Sequence, residues 1–372
     1  MREKQVLITG GNGYLGMRLA RAYLDLTDLP VLLWLRARNT DEFESKRHRL
    51  QQQFGRFEPR VNYAWGDLVS DHPFDSIDPQ KIRVIIHSAA VTKFNVDEDT
   101  AQRVNIEGTE KLLRFAGQCR SLEAFGLLST VYASGLAPGV IGEVPFDDDR
   151  KFANHYERSK WASEKRLMTE FDYLPWRILR VATVVADDAS GHVTQFNAVH
   201  NTLKLLYYGL LSIVPGKPDT PLYFVTGDFV TQAVFNAMRN PTNKAIYHVC
   251  HTRSQSLSLD EMIDVAFECF SQHQDFKSRR LMKPLYVDSE SFGLLGDAMD
   301  TFGGTIVNQA LSSVSPFAGQ LFVEKEFLNE RLVSTIGGYR PSDERQAIRN
   351  ACEYLVRTKW GKEECGDIRP EN

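Results

Sequence analysis

A chain of 372 residues, 42% hydrophobic and 25% charged, has an ordinary globular mix and enough length for one large domain with a lobe, or for two domains. Its formal net charge of −4 leaves no basic footprint for nucleic acid. The five cysteines (Cys119, Cys250, Cys269, Cys352, Cys365) are scattered without close pairing, which speaks against a disulfide framework and fits a reducing cytoplasm. The chain enters its first apolar run with no signal-peptide pattern. Its longest apolar stretch, residues 203–215, is too short for a bilayer and contains Lys204. No transmembrane segment and a cytoplasmic location are therefore expected.

The first element is the apolar run Val6, Leu7, Ile8. It leads into a turn with Gly10, Gly13 and Gly16, and then a helical pattern at Leu15, Leu19 and Tyr23. Strand, glycine-punctuated turn and helix in that order cradle a pyrophosphate. Gly10 suits the tight turn, Gly13 lets the backbone reach the phosphates, and Gly16 lets the helix pack on the strand. Asn12, Tyr14 and Leu15 fill the same loop and are expected cofactor contacts. A second strand, residues 31–35, ends in Arg36, with no acid before Asp41. An acid there would hold a ribose 2′-hydroxyl, whereas an arginine accommodates a 2′-phosphate, so NADP(H) is the expected cofactor. Lys46, Arg47 and Arg49 read as an exposed helix face.

A third strand, residues 61–65, runs into Gly66-Asp67-Leu68, a turn from which Asp67 would reach the adenine beside Leu68. A fourth, residues 84–87, opens into Ser88-Ala89-Ala90, small enough for close approach of a cofactor. A helix over about 99–118 carries Asn105 and Gly108. A fifth strand, from residue 125, ends in Ser129-Thr130. Strands and helices alternating at this spacing predict an α/β fold, a doubly wound and mainly parallel sheet, with its ligand site at the carboxyl ends of the strands.

Residues 156–168 read as an amphipathic helix and 177–185 as a sixth strand that brings Val181 to the cofactor. Residues 223–225 and 246–250 read as returns to the sheet. The His248-Val249-Cys250-His251 run reads as strand, because alternation sends neighbouring side chains to opposite faces. Residues 203–215 read as a buried helix, with an acyl-chain tunnel wall or a contact with a membrane surface as the other uses. Residues 259–270 are helical, and 278–338 read as irregular, with glycine pairs at 303–304 and 337–338. A last helix over 342–357 takes Ser342 as N-cap, and the tail from Gly361 reads as loose. Residues 1–190, with 223–250 completing the sheet, are expected to bind the nucleotide. Residues 191–222 and 251–372 are expected to build a substrate lobe.

Tyr156 and Lys160 stand four apart, on one face of their helix. A phenol of ordinary pKa near 10 is a weak base at neutral pH. An adjacent ammonium favours the phenolate, and a shift of about three units needs about 4 kcal/mol. Such a pair could exchange a proton with a carbonyl or alcohol oxygen while a nicotinamide exchanges hydride with its carbon. Thr130 would hydrogen-bond the same oxygen.

These motifs resemble an extended short-chain dehydrogenase/reductase of the Rossmann type. TGGNGYLG is similar to that superfamily's TGxxGxxG, and Tyr156-x-x-x-Lys160 to its catalytic pair. Thr130 matches its Ser/Thr, and Asn105 with Gly108-Thr109 resembles its N-x-x-G-T helix. The resemblance implies Tyr156 as proton donor or acceptor and Lys160 as the group that binds the nicotinamide ribose and lowers the tyrosine pKa. It implies Thr130 as substrate-positioning and Asn105 as support for a proton relay or for the active-site architecture. Within that superfamily, HSAAVTKF, LLSTVYASG and YERSKWASEK resemble the thioester-reductase and fatty-acyl reductase (male-sterility-like) branch, which implies NADPH-dependent reduction of an acyl thioester, CoA- or carrier-bound, to an aldehyde. No adenylation or carrier domain is read beside these motifs. A second reading stays open, a dehydrogenase or epimerase acting on a secondary alcohol or ketone such as a 3-hydroxysteroid or sugar nucleotide. Dehydration is not expected, because Val131 and Tyr132 follow Thr130 where dehydratases place an acid pair. Expected partners are a small acyl or carbonyl substrate and, since many relatives dimerise, a second copy of the chain.

Overall fold

The computed structural model describes residues 4–294 and 306–363. Its strands in chain order are β1 (Gln5–Thr9), β2 (Val31–Arg36), β3 (Val61–Gly66), β4 (Ile82–His87), β5 (Ala124–Thr130), β6 (Gly139–Ile141), β7 (Trp176–Val181), β8 (Thr183–Ala186), β9 (Ile213–Pro215), β10 (Phe224–Thr226), β11 (Ala245–Val249), β12 (Leu285–Val287) and β13 (Lys325–Phe327). Among the described residues one sheet has seven strands in the order β3-β2-β1-β4-β5-β7-β11, every neighbour parallel. The strands are aliphatic on both faces because helices cover both. Val6, Ile8, Leu33 and Ile86 pack on one side, and Leu7, Leu32, Trp34 and Ile85 on the other.

The described helices are α1 (Tyr14–Leu26), α2 (Thr40–Phe54), α3 (Glu98–Thr100), α4 (Gly108–Ala116), α5 (His155–Glu170), α6 (Ala198–Tyr208), α7 (Gly227–Arg239) and α8 (Leu259–Phe270), followed by Gln274–Arg279, Ile306–Leu321, Glu330–Thr335 and Glu344–Arg357. Helices α1, α2 and α7 bury Leu19, Phe43 and Val234 on one face, while α4 and α5 bury Leu113 and Leu167 on the other. A separate core holds Leu203 and Leu206 of α6, Met262 and Phe270 of α8, and Ile348 and Leu355 of Glu344–Arg357. Fully burying one such side chain stabilises by about 1.5–3 kcal/mol.

Several sequence expectations need correction. The strand expected over 177–185 breaks at Ala182. Its amide bonds Val249 O (3.1 Å), while the next amide, Thr183 N, bonds Tyr223 O (3.2 Å). The chain thus changes partner, and β8 pairs with β10 in a two-stranded ribbon. Residues 223–225 therefore do not return to the main sheet, whereas β11 does. The 203–215 segment is not one helix, for α6 ends at Gly209 in the left-handed conformation and β9 follows. The 278–338 stretch is ordered in its described parts, with β12, Ile306–Leu321, β13 and Glu330–Thr335. Pro316 lies inside the second of these, which hid the helical period. The last helix is capped by Asp343, whose side chain accepts from Gln346 N (3.0 Å). Ser342 is engaged instead with His251 Nε2 (2.7 Å). The glycine pair 303–304 and residues 364–372, with Cys365, lie outside the described residues. The four described cysteines are free and buried. No described helix is long and apolar enough to cross a membrane.

Candidate active site

The carboxyl ends of the parallel strands gather the predicted residues. Gly10 takes φ +67°, and a Cβ there would stand 2.9 Å from Ala89 N. A Cβ on Gly16 would stand 2.2 Å from Gly10 O, so the turn closes on helix α1 only without side chains. Gly13 is the N-cap of α1, with no side-chain capping bond and no acid in the first turn. The first N–H groups of that helix therefore have no side-chain cap, an arrangement that could receive an anion. Asn12 lies half-buried in the same turn. Arg36 is exposed at the end of β2. Lys46, on α2, bonds the Arg36 carbonyl (3.0 Å) and Glu42 (2.8 Å). Asp67 caps its own turn at Val69 N (3.1 Å). Leu68 is buried against the Cα of Gly108.

Eight of the predicted residues line one cavity of about 280 Å³: Tyr14, Leu15, Ser88, Ala90, Thr130, Tyr156, Lys160 and Val181. Gly10, Asn12, Gly13, Gly16, Arg36, Asp67, Leu68, Ala89 and Asn105 are not among its walls. From the reactive end the cavity continues between Val193, Leu211, Val214, Leu222, Met262 and Phe317, side chains that belong to or pack against the separate core.

Thr130 ends β5 beside Val181, its hydroxyl accepts from Tyr132 N (3.3 Å), and it lines the same cavity as the Tyr156 phenol. Burial pushes that phenol above its ordinary value, the Glu157 carboxylate adds to this, and the Thr130 hydroxyl opposes it. Burial, rather than the ammonium expected from Lys160, sets the direction of the phenol's shift in this geometry. The field of Lys160 falls on His87, and Lys160 is itself acted on by Glu164. Burial holds the Lys160 ammonium down at about 8, against the pull of Glu164. Tyr156 therefore stands as a protonated acid.

Asn105 lies in a π-helical segment, Ala101–Glu107, between α3 and α4, an irregularity often found at functional sites. Its side chain is satisfied by protein. Oδ1 accepts from Val91 N (2.8 Å), and Nδ2 donates to Val91 O (3.0 Å) and Ser159 Oγ (2.9 Å). Of the two roles expected for it, the contacts match architecture, since Asn105 ties the loop after β4 to the helix of Tyr156 and Lys160. His87 completes this support: Thr9 Oγ1 donates to Nδ1 (2.7 Å) and Nε2 donates to Thr109 Oγ1 (2.9 Å). Burial keeps the ring neutral, its pKa lowered to about 3.

Sequence reasoning passed over two buried polar networks. Glu164, one turn beyond Lys160, pairs with Arg180 (2.7 Å), both about fully buried. Ser129 Oγ donates to the same carboxylate, Arg180 donates to Val144 O (3.0 Å) and His248 Nε2 (3.2 Å), and Phe146 lies under the guanidinium. His248 Nδ1 donates to Leu328 O (2.7 Å), while His251 faces Tyr339 and Ser342. The two rings of the His-Val-Cys-His run thus have separate partners. The second network joins Glu157 to Gln320 and Lys325. Its one visible signal was the acid in the first turn of the Tyr156 helix.

Residues 8–234 match the family model described as Male sterility protein, an NAD-binding family. A carboxylic acid reductase of Mycobacterium tuberculosis is 25% identical over 311 residues, covering 70% of this chain and 26% of that protein. A fatty acyl-CoA reductase 2, chloroplastic, of Arabidopsis thaliana is 42% identical over 67 residues, 18% of this chain and 11% of that protein. The chain thus spans well under two thirds of these curated relatives. The crystal structure of the terminal R domain from the myxalamid PKS-NRPS pathway superposes with a TM-score of 0.74 at 21% identity, covering 96% of this chain and 92% of that one. This likeness establishes a shared fold.

Proposed function

Because the chain belongs to the male sterility protein family, of the extended short-chain reductase type, we propose that it uses NADPH to reduce an acyl thioester, CoA- or carrier-bound, to the aldehyde. One observation carries the reading: a Thr130-Tyr156-Lys160 cluster opens directly into an apolar cavity, which suits a carbonyl with a hydrocarbon tail. The glycine turn and the uncapped start of α1 would hold the pyrophosphate, and Arg36 the 2′-phosphate. When bound there, the nicotinamide supplies hydride to the carbonyl carbon. Tyr156 gives its proton to the carbonyl oxygen, and Thr130 positions that oxygen. The hemithioacetal then collapses: its hydroxyl proton returns through Tyr156 to the departing sulfur as the carbon–sulfur bond breaks, so a thiol leaves and the aldehyde remains. Lys160 is charged below about 8 and would hold the nicotinamide ribose. The nucleotide would sit on residues 1–190 and the acyl chain in the lobe. A sugar nucleotide fits the apolar wall poorly.

The test is product analysis after incubation with NADPH and palmitoyl-CoA. Palmitaldehyde with stoichiometric free thiol is expected. Turnover of a 3-ketosteroid or UDP-sugar with none of the thioester would overturn the reading.

Two further outcomes follow. Arg36→Ala should weaken NADPH by about tenfold, the loss of one charge-assisted phosphate contact, and leave NADH unaffected. Equal loss for both cofactors would refute the 2′-phosphate role. The pH profile of kcat/KM should fall as pH rises past about 8, where Lys160 loses its proton, while Tyr156, with its raised pKa, stays protonated. A flat profile through that range would contradict the lysine's role.

A further inference from the structure

Helix Ile306–Leu321 forms one wall of the cavity through Val314, Phe317, Gln320 and Leu321. It meets the catalytic helix α5 where Tyr156 sits. Phe317 packs on Phe94 (6.0 Å between centroids), and Phe94 packs edge-on against Tyr156 (5.8 Å). Asn154, the N-cap of α5, donates from Nδ2 to Pro316 O (3.0 Å).

We propose that Gln320, held between Glu157 and Lys325, is a positioning residue that latches this helix as the roof of the cavity onto the helical turn carrying Tyr156. Glu157 is fully buried and Lys325 nearly so, yet the connection between them runs through the glutamine amide. Gln320 Nε2 donates to Glu157 Oε2 (2.8 Å), and Gln320 Oε1 accepts from Lys325 Nζ (2.6 Å). The amide has one workable orientation, because reversing it would set oxygen against carboxylate and NH₂ against ammonium. The rest of each charge is met by the catalytic framework. Glu157 also accepts from Ala153 N (3.1 Å) and Asn154 Nδ2 (3.1 Å), both at the start of α5. Lys325 also donates to Ser134 Oγ (3.2 Å) and Gly135 O, just beyond Thr130. Gln320 thus joins the roof to both segments that present Thr130 and Tyr156, beside the bond from Asn154 to Pro316 O. A buried charge that loses its partner is costly, so the roof is held in one place relative to the phenol.

The kinetic half of this inference rests on the thioester reading, and the structural half does not. The test uses the full chain with Gln320→Ala, Lys325→Met and the double variant. It measures amide hydrogen exchange over residues 314–321, NADPH affinity by fluorescence titration, and kcat and KM for palmitoyl-CoA. Each single change should speed exchange in 314–321 and raise KM about tenfold, the loss of one hydrogen bond to a charged group, with NADPH affinity unchanged. The double variant should be within about twofold of either single, because both remove one device. Additive effects, exchange unchanged in 314–321, or an equal loss of NADPH affinity would overturn the latch. Gln320→Asn, too short to reach both partners, serves the same comparison if the alanine variant does not fold. A wild-type protein inert on every thioester would refute the function proposed above, and the exchange data would still decide the latch.

Discussion

Tyr156→Phe is expected to cut thioester reduction by about 10³-fold, the order of magnitude of a positioned general acid, with NADPH affinity nearly intact. The hydroxyl alone is removed. The ring keeps its edge-on contact with Phe94 (5.8 Å), so the helix and the cofactor surface stay in place. A thioester hydride step with no proton for the developing oxygen charge has to draw it from water, which the half-buried site restricts. A variant with full turnover would remove Tyr156 from the chemistry, and a variant that no longer binds NADPH would make the residue structural.

The largest expected effect on stability lies behind the site. Glu164→Gln should cost about 3–5 kcal/mol, because it strands the Arg180 charge away from bulk solvent. Arg180 is 0% exposed and its partner 1%, so solvent screening does not soften the loss. Urea unfolding of the variant measures it. A loss below about 1 kcal/mol would mean that Val144 O, His248 and Phe146 suffice to hold the guanidinium. The double replacement Glu164→Leu with Arg180→Met should cost less than the sum of the two singles, since it removes both charges together.

What could be read from the sequence was local. The glycine turn, the strand ends and the i, i+4 pair of Tyr156 and Lys160 depend on residues within a turn of one another, and the structure puts Tyr156, Lys160 and Thr130 in one cavity. What could not be read depends on contact at a distance. Glu164 meets Arg180 across 16 positions and Glu157 meets Gln320 across 163, and no spacing rule announces either. The partner change at Ala182 is set by Val249 and Tyr223, which the local aliphatic run cannot reveal. Ser342 looked like a cap because serine caps helices, but His251 takes its hydroxyl and Asp343 does the work. The phenol's pKa is raised by burial, with the Glu157 carboxylate adding to it, and burial is a tertiary property.

A cavity beside Thr130, Tyr156 and Lys160 that takes an acyl chain makes kcat/KM depend on chain length, measured across saturated acyl-CoAs from acetyl to palmitoyl at constant NADPH. Each methylene buried between Leu211, Val214, Leu222 and Met262 contributes about 0.8 kcal/mol, so kcat/KM should climb about fourfold per added carbon until the cavity is full, then level off. A rate independent of chain length would contradict the account.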